Sequence, residues 1–144
     1  MGNFAEIPSV FCICRDTAER DCYVEYGRAL VWQVWTSLDC DEATDELEIR
    51  TFDVLVIAGM VQNTLGATLL ERIRNKPGPN QITPAILVVD HKNISEAAAL
   101  GRRDHINIEH IEFGQMLMSS FRIIITGIIA GKIKESGSAD RPAL

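Results

Sequence analysis

The run Val54-Leu55-Val56-Ile57 most narrows what this chain can become. It is too short for a buried helix and has no polar residue on alternate positions. Such a run is the mark of a strand covered on both faces, and strands of that kind belong to parallel sheets with helices on either side. Two companions repeat the pattern: Val10-Phe11-Cys12-Ile13-Cys14 near the start, and Ala85 to Val89 further on.

The segments between these runs have helical character. Asp16 is placed to cap a first helix, with Glu19 three residues on completing a capping box. Cys22, Tyr26, Ala29 and Leu30 then supply an apolar stripe. The β-branched residues of Val31 to Ser37 favour a second strand. Asp39 and Glu42 repeat the capping spacing before a short helix through Ala43 and Leu47. Thr64 is placed to cap a helix whose buried face is Leu65, Leu69, Leu70 and Ile73. Asn75 to Asn80 is a turn by composition. Asn93 and Glu96 introduce a helix through Ala97, Ala98 and Leu100 that ends at Gly101. A brief strand around Ile106 to Ile108 precedes a final helix starting near Phe113.

Strands alternating with helices, each crossover short, predict an α/β fold: a doubly wound sheet of five parallel strands. Residues 8–134 are expected to form one domain and residues 135–144 a flexible tail. The 144 residues carry a formal net charge of −6, which argues against direct nucleic-acid binding, since that needs a positive surface. Cys12, Cys14, Cys22 and Cys40 lack the spacing of a zinc framework and read as small buried hydrophobes in a reducing cytoplasm. No N-terminal signal pattern and no span long enough for a bilayer are present, so a cytoplasmic chain without a membrane partner is expected.

Phe52 to Val61, Gly66, Leu69-Leu70 and Ile73-Arg74, together with Thr83 to Val89 and the later Gly101, form a pattern that resembles the receiver domain of bacterial response regulators, from about Val10 to Ile125. The resemblance implies a flavodoxin-like, receiver-like three-layer sandwich. It implies an activity in which Mg²⁺ is held by acidic residues and an aspartate at the end of the third strand accepts a phosphoryl group. That chemistry needs a carboxylate nucleophile, a hard-cation site and a lysine. On this resemblance the acceptor falls on Ala58, the acidic pair on Arg15 and Asp16, the hydroxyl position on Val89, and the lysine on Ile108, with Glu109 where proline is usual. Arg15 either fills the cation space or is an ordinary exposed arginine. Asp53 lies about 16 Å upstream with opposite side-chain parity and cannot replace the acceptor.

Other motifs carry little. Asp90-His91 has no accompanying nucleophile, His105 and His110 lack metal-site spacing, and Gly127 to Lys132 is not a phosphate loop. The expectation is no enzyme, with no catalytic, cofactor-binding or metal-ligating residue and no cofactor. The degenerate receiver is expected to act as a phosphorylation-independent interaction or dimerisation module in bacterial signalling or transcription regulation. Its partner would be a protein of the pathway, with a homodimer through the C-terminal helix as one form. There Leu117, Phe121, Ile124, Ile125, Ile128 and Ile129 make an apolar face, flanked by Met116, Ser120, Gly127 and Gly131. Two other readings stay open: a phosphoreceiver with a displaced acceptor, and a flavodoxin-like small-ligand domain.

Overall fold

A computed structural model describes residues 7–138. In chain order the elements are β1 (Ser9–Ile13), α1 (Thr17–Leu30), β2 (Gln33–Ser37), α2 (Cys40–Ile49), β3 (Val54–Ala58), α3 (Gly66–Asn75), β4 (Ala85–Val89), α4 (Ile94–Gly101), β5 (Ile108–Phe113) and α5 (Met118–Ser138). The five strands are parallel and ordered β2-β1-β3-β4-β5. The topology therefore reverses beside β1, where open α/β sheets place their binding crevice. A two-residue antiparallel hairpin, Met60–Val61 with Thr64–Leu65, lies between β3 and α3.

Two core layers follow from the period of two along each strand. Phe11, Ile13, Leu55, Ile57, Leu87 and Val89 pack with Leu47 of α2, Leu69, Leu70 and Ile73 of α3, and Ala97 and Leu100 of α4. Val10, Cys12, Cys14, Val54, Val56, Ile86 and Val88 pack with Tyr23 of α1 and Phe121 and Ile125 of α5. Cys12 and Cys14 thus share one face, and burial raises both thiols, Cys14 to about 12. They are inert core groups, because the thiolate is the reactive form.

The caps of α1 and α2 form at the expected residues. Asp16 accepts from the Glu19 N–H at 2.9 Å and Asp39 from the Glu42 N–H at 2.8 Å. Glu19 reaches back one residue further than a standard box, to the Arg15 N–H at 2.7 Å.

Several expectations need correction. The buried stripe of α1 is Tyr23 and Gly27, with Tyr26 and Leu30 half-buried, while Ala29 is exposed. Thr64 is not a cap, since it pairs in the hairpin with Val61 and α3 starts without a side-chain cap. Asn93 is the N-cap residue of α4, yet its side chain bonds the Asp90 N–H instead of Glu96. The fifth strand runs later and longer than expected: Ile106 ends a 3₁₀ turn, Asn107 takes a left-handed conformation, and the strand spans Ile108 to Phe113. Gly114, at φ 91°, then breaks the chain, so α5 starts at Met118 rather than near Phe113. That helix reaches Ser138, taking in the first residues of the expected tail; residues 139–144 lie outside the described residues.

One charged side chain is built into the lower end of the sheet. Arg74 of α3 is 2% exposed, and its guanidinium donates to five backbone carbonyls: Ile106 at 2.5 Å, Asn80 at 2.9 Å, Gln81 at 3.2 Å, Asn107 at 3.3 Å, and Thr83. Asn80 completes the lattice there. Its carbonyl accepts from the Phe52 N–H and the Thr83 hydroxyl, and its amide donates to Leu47 and Arg50. Each amide lone pair and proton is used, as a buried polar group requires.

Candidate functional site

The carboxyl ends of the central strands hold Ala58 and Val89, two of the residues that the sequence singled out. β1 and β3 run side by side, with Ile13 opposite Ile57, and β3 pairs with β4 so that Ala58 faces Val88. Ala58 therefore ends the middle strand of the sheet, where it is 4% exposed. Its side chain is a methyl group, with no atom able to attack phosphorus or hold a cation. Val89, ending β4, is buried and equally apolar.

The backbone around Ala58 is tightly closed. A Cβ on Gly66 would stand 2.0 Å from the Ala58 carbonyl oxygen, so the first turn of α3 rests directly on the strand end. The Gly66 N–H donates to Gly59 at 2.9 Å and the Gly59 N–H to Val88 at 2.6 Å. Above Gly59 sits the Asn93 side chain, with its carbonyl oxygen 2.3 Å from where a Cβ at residue 59 would be. Asn93 is itself buried. At the hairpin tip Gln62, at φ 54°, folds over the start of α2: its carbonyl accepts from the Cys40 N–H at 3.0 Å and its amide donates to Asp39 at 3.2 Å.

Arg15 and Asp16 follow the end of β1 and lead into α1. Arg15 Nε meets Asp16 Oδ2 at 3.3 Å, with both side chains about half exposed. They line a cavity of about 180 Å³ together with Glu19, Cys22, Tyr23, Gln115 and Met116; Ala58, Gly59 and Val89 do not line it. Asp16 serves the helix, and the Glu19 N–H bond is the main reason that its pKa is lowered. Such a capped carboxylate, already neutralised by a neighbouring guanidinium, is poorly suited to Mg²⁺. Among the described residues, no three His, Cys, Asp or Glu side chains gather as a metal site.

The position expected to match a lysine is corrected by the structure. Ile108 opens β5 opposite Ala85, at the far end of the sheet, whereas Glu112 and Phe113 stand opposite Val88 and Val89. The His91 ring meets the Phe113 ring edge-on at 4.8 Å, and His110 Nε2 lies 2.7 Å from Glu112 Oε1. Asp90 accepts from the Lys92 N–H in a local turn. Asp53 belongs to the opposite end, where it accepts from the Ser9 N–H at 2.9 Å.

On α5 the expected apolar face is split. Phe121 and Ile125 are buried, and Ile124, Ile128 and Ile129 pack on the same core layer. Leu117 precedes the helix and is exposed, as are Met118 and Ile123, the last to 60%. Met116 is buried, and its carbonyl accepts from the Tyr26 hydroxyl at 2.9 Å. Gly127 and Gly131 face open space and help to line a groove with Ile82, Asn107 and Glu109.

Sequence reasoning missed Asn93 and Gln62 as the groups that close this end. The signal at Asn93 is that of a helix cap, and its approach to Gly59, like that of Gln62 to α2, is made across the fold.

Family models and curated protein sequences give no match to this chain. Solved structures do. A response regulator receiver domain protein (CheY-like) from Methanospirillum hungatei is 13% identical, with a TM-score of 0.78 over 90% of this chain and 99% of that one. NtrX from Brucella abortus is 17% identical, with a TM-score of 0.73 over 94% of this chain but 30% of its own, so this chain spans less than a third of that protein. An adenylate cyclase structure from Rhodopirellula baltica is 12% identical, with a TM-score of 0.74 over 94% of this chain and all of that one. At such identities the likeness is one of fold. The fold is that of the receiver domains of response regulators, and among the described residues no helix is long and apolar enough to cross a membrane.

Proposed function

We propose that this chain is a degenerate receiver that works by binding protein rather than by phosphoryl transfer, as an interaction or dimerisation module in bacterial signal transduction or transcription regulation. The carrying observation is Ala58, a buried methyl group at the end of the central strand, with Gly66 packed on its carbonyl and Asn93 over the next residue, Gly59. Arg15 in place of an acidic residue, and Val89 in place of a hydroxyl, point the same way. Fold alone assigns no activity, as the differently named neighbours illustrate, so the reading rests on the residues present.

With the strand ends closed, recognition falls to the surface. The outer side of α5 carries Ile123, with Leu117 and Met118 exposed before and at its start. Next to them the Gly127–Gly131 side lies open beside β5. This side suits a protein partner of the pathway, because small residues let a second backbone approach closely. The domain is read as residues 8–134, in the cytoplasm, without cofactor.

Incubation with acetyl phosphate and Mg²⁺ tests the proposal. The intact mass is expected to stay unchanged, and a stoichiometric phosphoryl adduct on any residue would refute the reading.

A further inference from the structure

The two edges of the sheet are built differently. β5 carries Glu109, His110 and Glu112 and has a register shift between Ala85 and Ile86. Charges and a bulge are the usual devices that stop an edge from pairing with another chain. β2, the other edge, is Gln33-Val34-Trp35-Thr36-Ser37, with no charge, no proline and an unbroken register against β1. Trp35 at its centre is 39% exposed.

The bonds to β1 fix which backbone groups of this edge face away from the sheet. Gln33 donates to Pro8, and Ser37 accepts from Cys14. Successive residues alternate, so Gln33, Trp35 and Ser37 point inward and the N–H and C=O groups of Val34 and Thr36 point outward. In an antiparallel pair centred on Trp35, Val34 of one copy faces Thr36 of the other. Each such pair exchanges two hydrogen bonds, and symmetry supplies both. The Trp35 residues then occupy a non-hydrogen-bonded site, where side chains approach most closely.

The charges beside β2 favour the same arrangement. Arg28 lies in the last turn of α1, just before the amino end of β2, and Arg50 lines a hollow there with Ser9 and Gln33, its guanidinium 4.5 Å over the Trp35 ring. Asp39 and Asp41 stand at the carboxyl end, at the start of α2. Arg28 and Arg50 already meet Glu25 and Glu46, but Arg50 does so through Nε, and among the described residues no carboxylate meets its Nη groups. A two-fold axis through Trp35 lays the basic end of each edge against the acidic end of the other. A parallel arrangement would oppose like charges.

We propose that β2 is a self-association edge: a second copy of this chain pairs antiparallel across it and joins the two sheets into one of ten strands. This interface is separate from α5 and independent of the missing acceptor.

Sedimentation velocity of the full chain over about 1–500 µM, the range in which a small interface of this kind shows itself, is the test. A concentration-dependent dimer is expected. Thr36→Pro removes one outward N–H, a change tolerated on edge strands, and should weaken dimerisation about tenfold or more. Arg28→Glu should weaken it as well, and Arg28→Glu combined with Asp41→Arg should restore it. Circular dichroism checks that each variant is folded; if Thr36→Pro is not, the charge swap decides. A monomer at every concentration overturns the proposal. So does a dimer insensitive to the β2 variants, or one that is lost with Ile123→Arg instead, an outcome that moves self-association to α5.

Discussion

Replacing Arg74 with Met tests how the lower end of the sheet is held. The guanidinium ties α3 to the 80–83 loop and to the entry of β5 through five carbonyls, with no carboxylate among its partners. Burial alone draws its pKa down to about 10, so the carbonyl dipoles carry the cost of keeping the charge inside. Hydrogen bonds to a charged group are worth about 1.5–3 kcal/mol each, against several kcal/mol for desolvating the ion. Met fills most of the volume but leaves the carbonyls unmatched, and removing one member of such a network costs about 3–5 kcal/mol. For a chain of this size, with an m-value of about 1.5–2 kcal/mol/M, the urea midpoint should fall by about 2–3 M. Equilibrium unfolding followed by far-ultraviolet circular dichroism measures this directly. Arg74→Lys should recover only part of the loss, because three donors on a compact ammonium cannot reach carbonyls spread around a planar fork. A Met variant within about 1 kcal/mol of the parent, or a fully stable Lys variant, would show that the carbonyl network contributes little.

Three further outcomes are expected. Gly66→Ala drives a methyl group into the Ala58 carbonyl and should cost about 1–3 kcal/mol, with faster amide exchange at Gly59 and Gly66. Asp16 and Asp39 have lowered folded-state pKa values, chiefly from the Glu19 and Glu42 N–H bonds, so they favour the unfolded state's proton uptake and lend stability above the unfolded value of about 3.9. That contribution is lost as pH falls through the lowered values. In the double variant Asp16→Asn, Asp39→Asn, which keeps capping side chains, the stability between pH 2 and 5, read by urea titration, should fall less steeply with acid, as about two titrating groups are removed. On α5, Ile123→Arg should leave thermal unfolding nearly unchanged, whereas Ile128→Arg should destabilise the fold, because Ile128 packs on the core around Phe121 and Ile125. Scanning calorimetry separates the two.

The strands were legible wherever burial on both faces left no polar residue. Val54 to Ala58 and Ala85 to Val89 follow their apolar runs closely. β5 was misread because it is an edge strand: His110 and Glu112 interrupt the apolar signal, while the buried Ile106 just before it belongs to a turn. The caps at Asp16 and Asp39 are local, so their spacing was enough. Thr64 and Asn93 have equally suggestive neighbours, but each is claimed by a competing contact, Thr64 by the hairpin and Asn93 by the Asp90 N–H. Ala58 could be placed from sequence, since its strand was plain. The packing around it could not, because Gly66 reaches the Ala58 carbonyl, and Asn93 the neighbouring Gly59, only in three dimensions. Arg74 ran against expectation: a charged residue on a helix is ordinarily solvated, and nothing nearby in sequence shows that five carbonyls converge on it.

The contact between Gly59 and Asn93 also constrains how this chain can evolve. Any substitution at residue 59 evicts the amide above it, and a larger residue at 93 has nowhere to go while the strand lies beneath. The two sites form a single unit of inheritance: in descendants of this chain a side chain at 59 should arrive only with or after a smaller residue at 93, and one that appears at 59 alone should be purged.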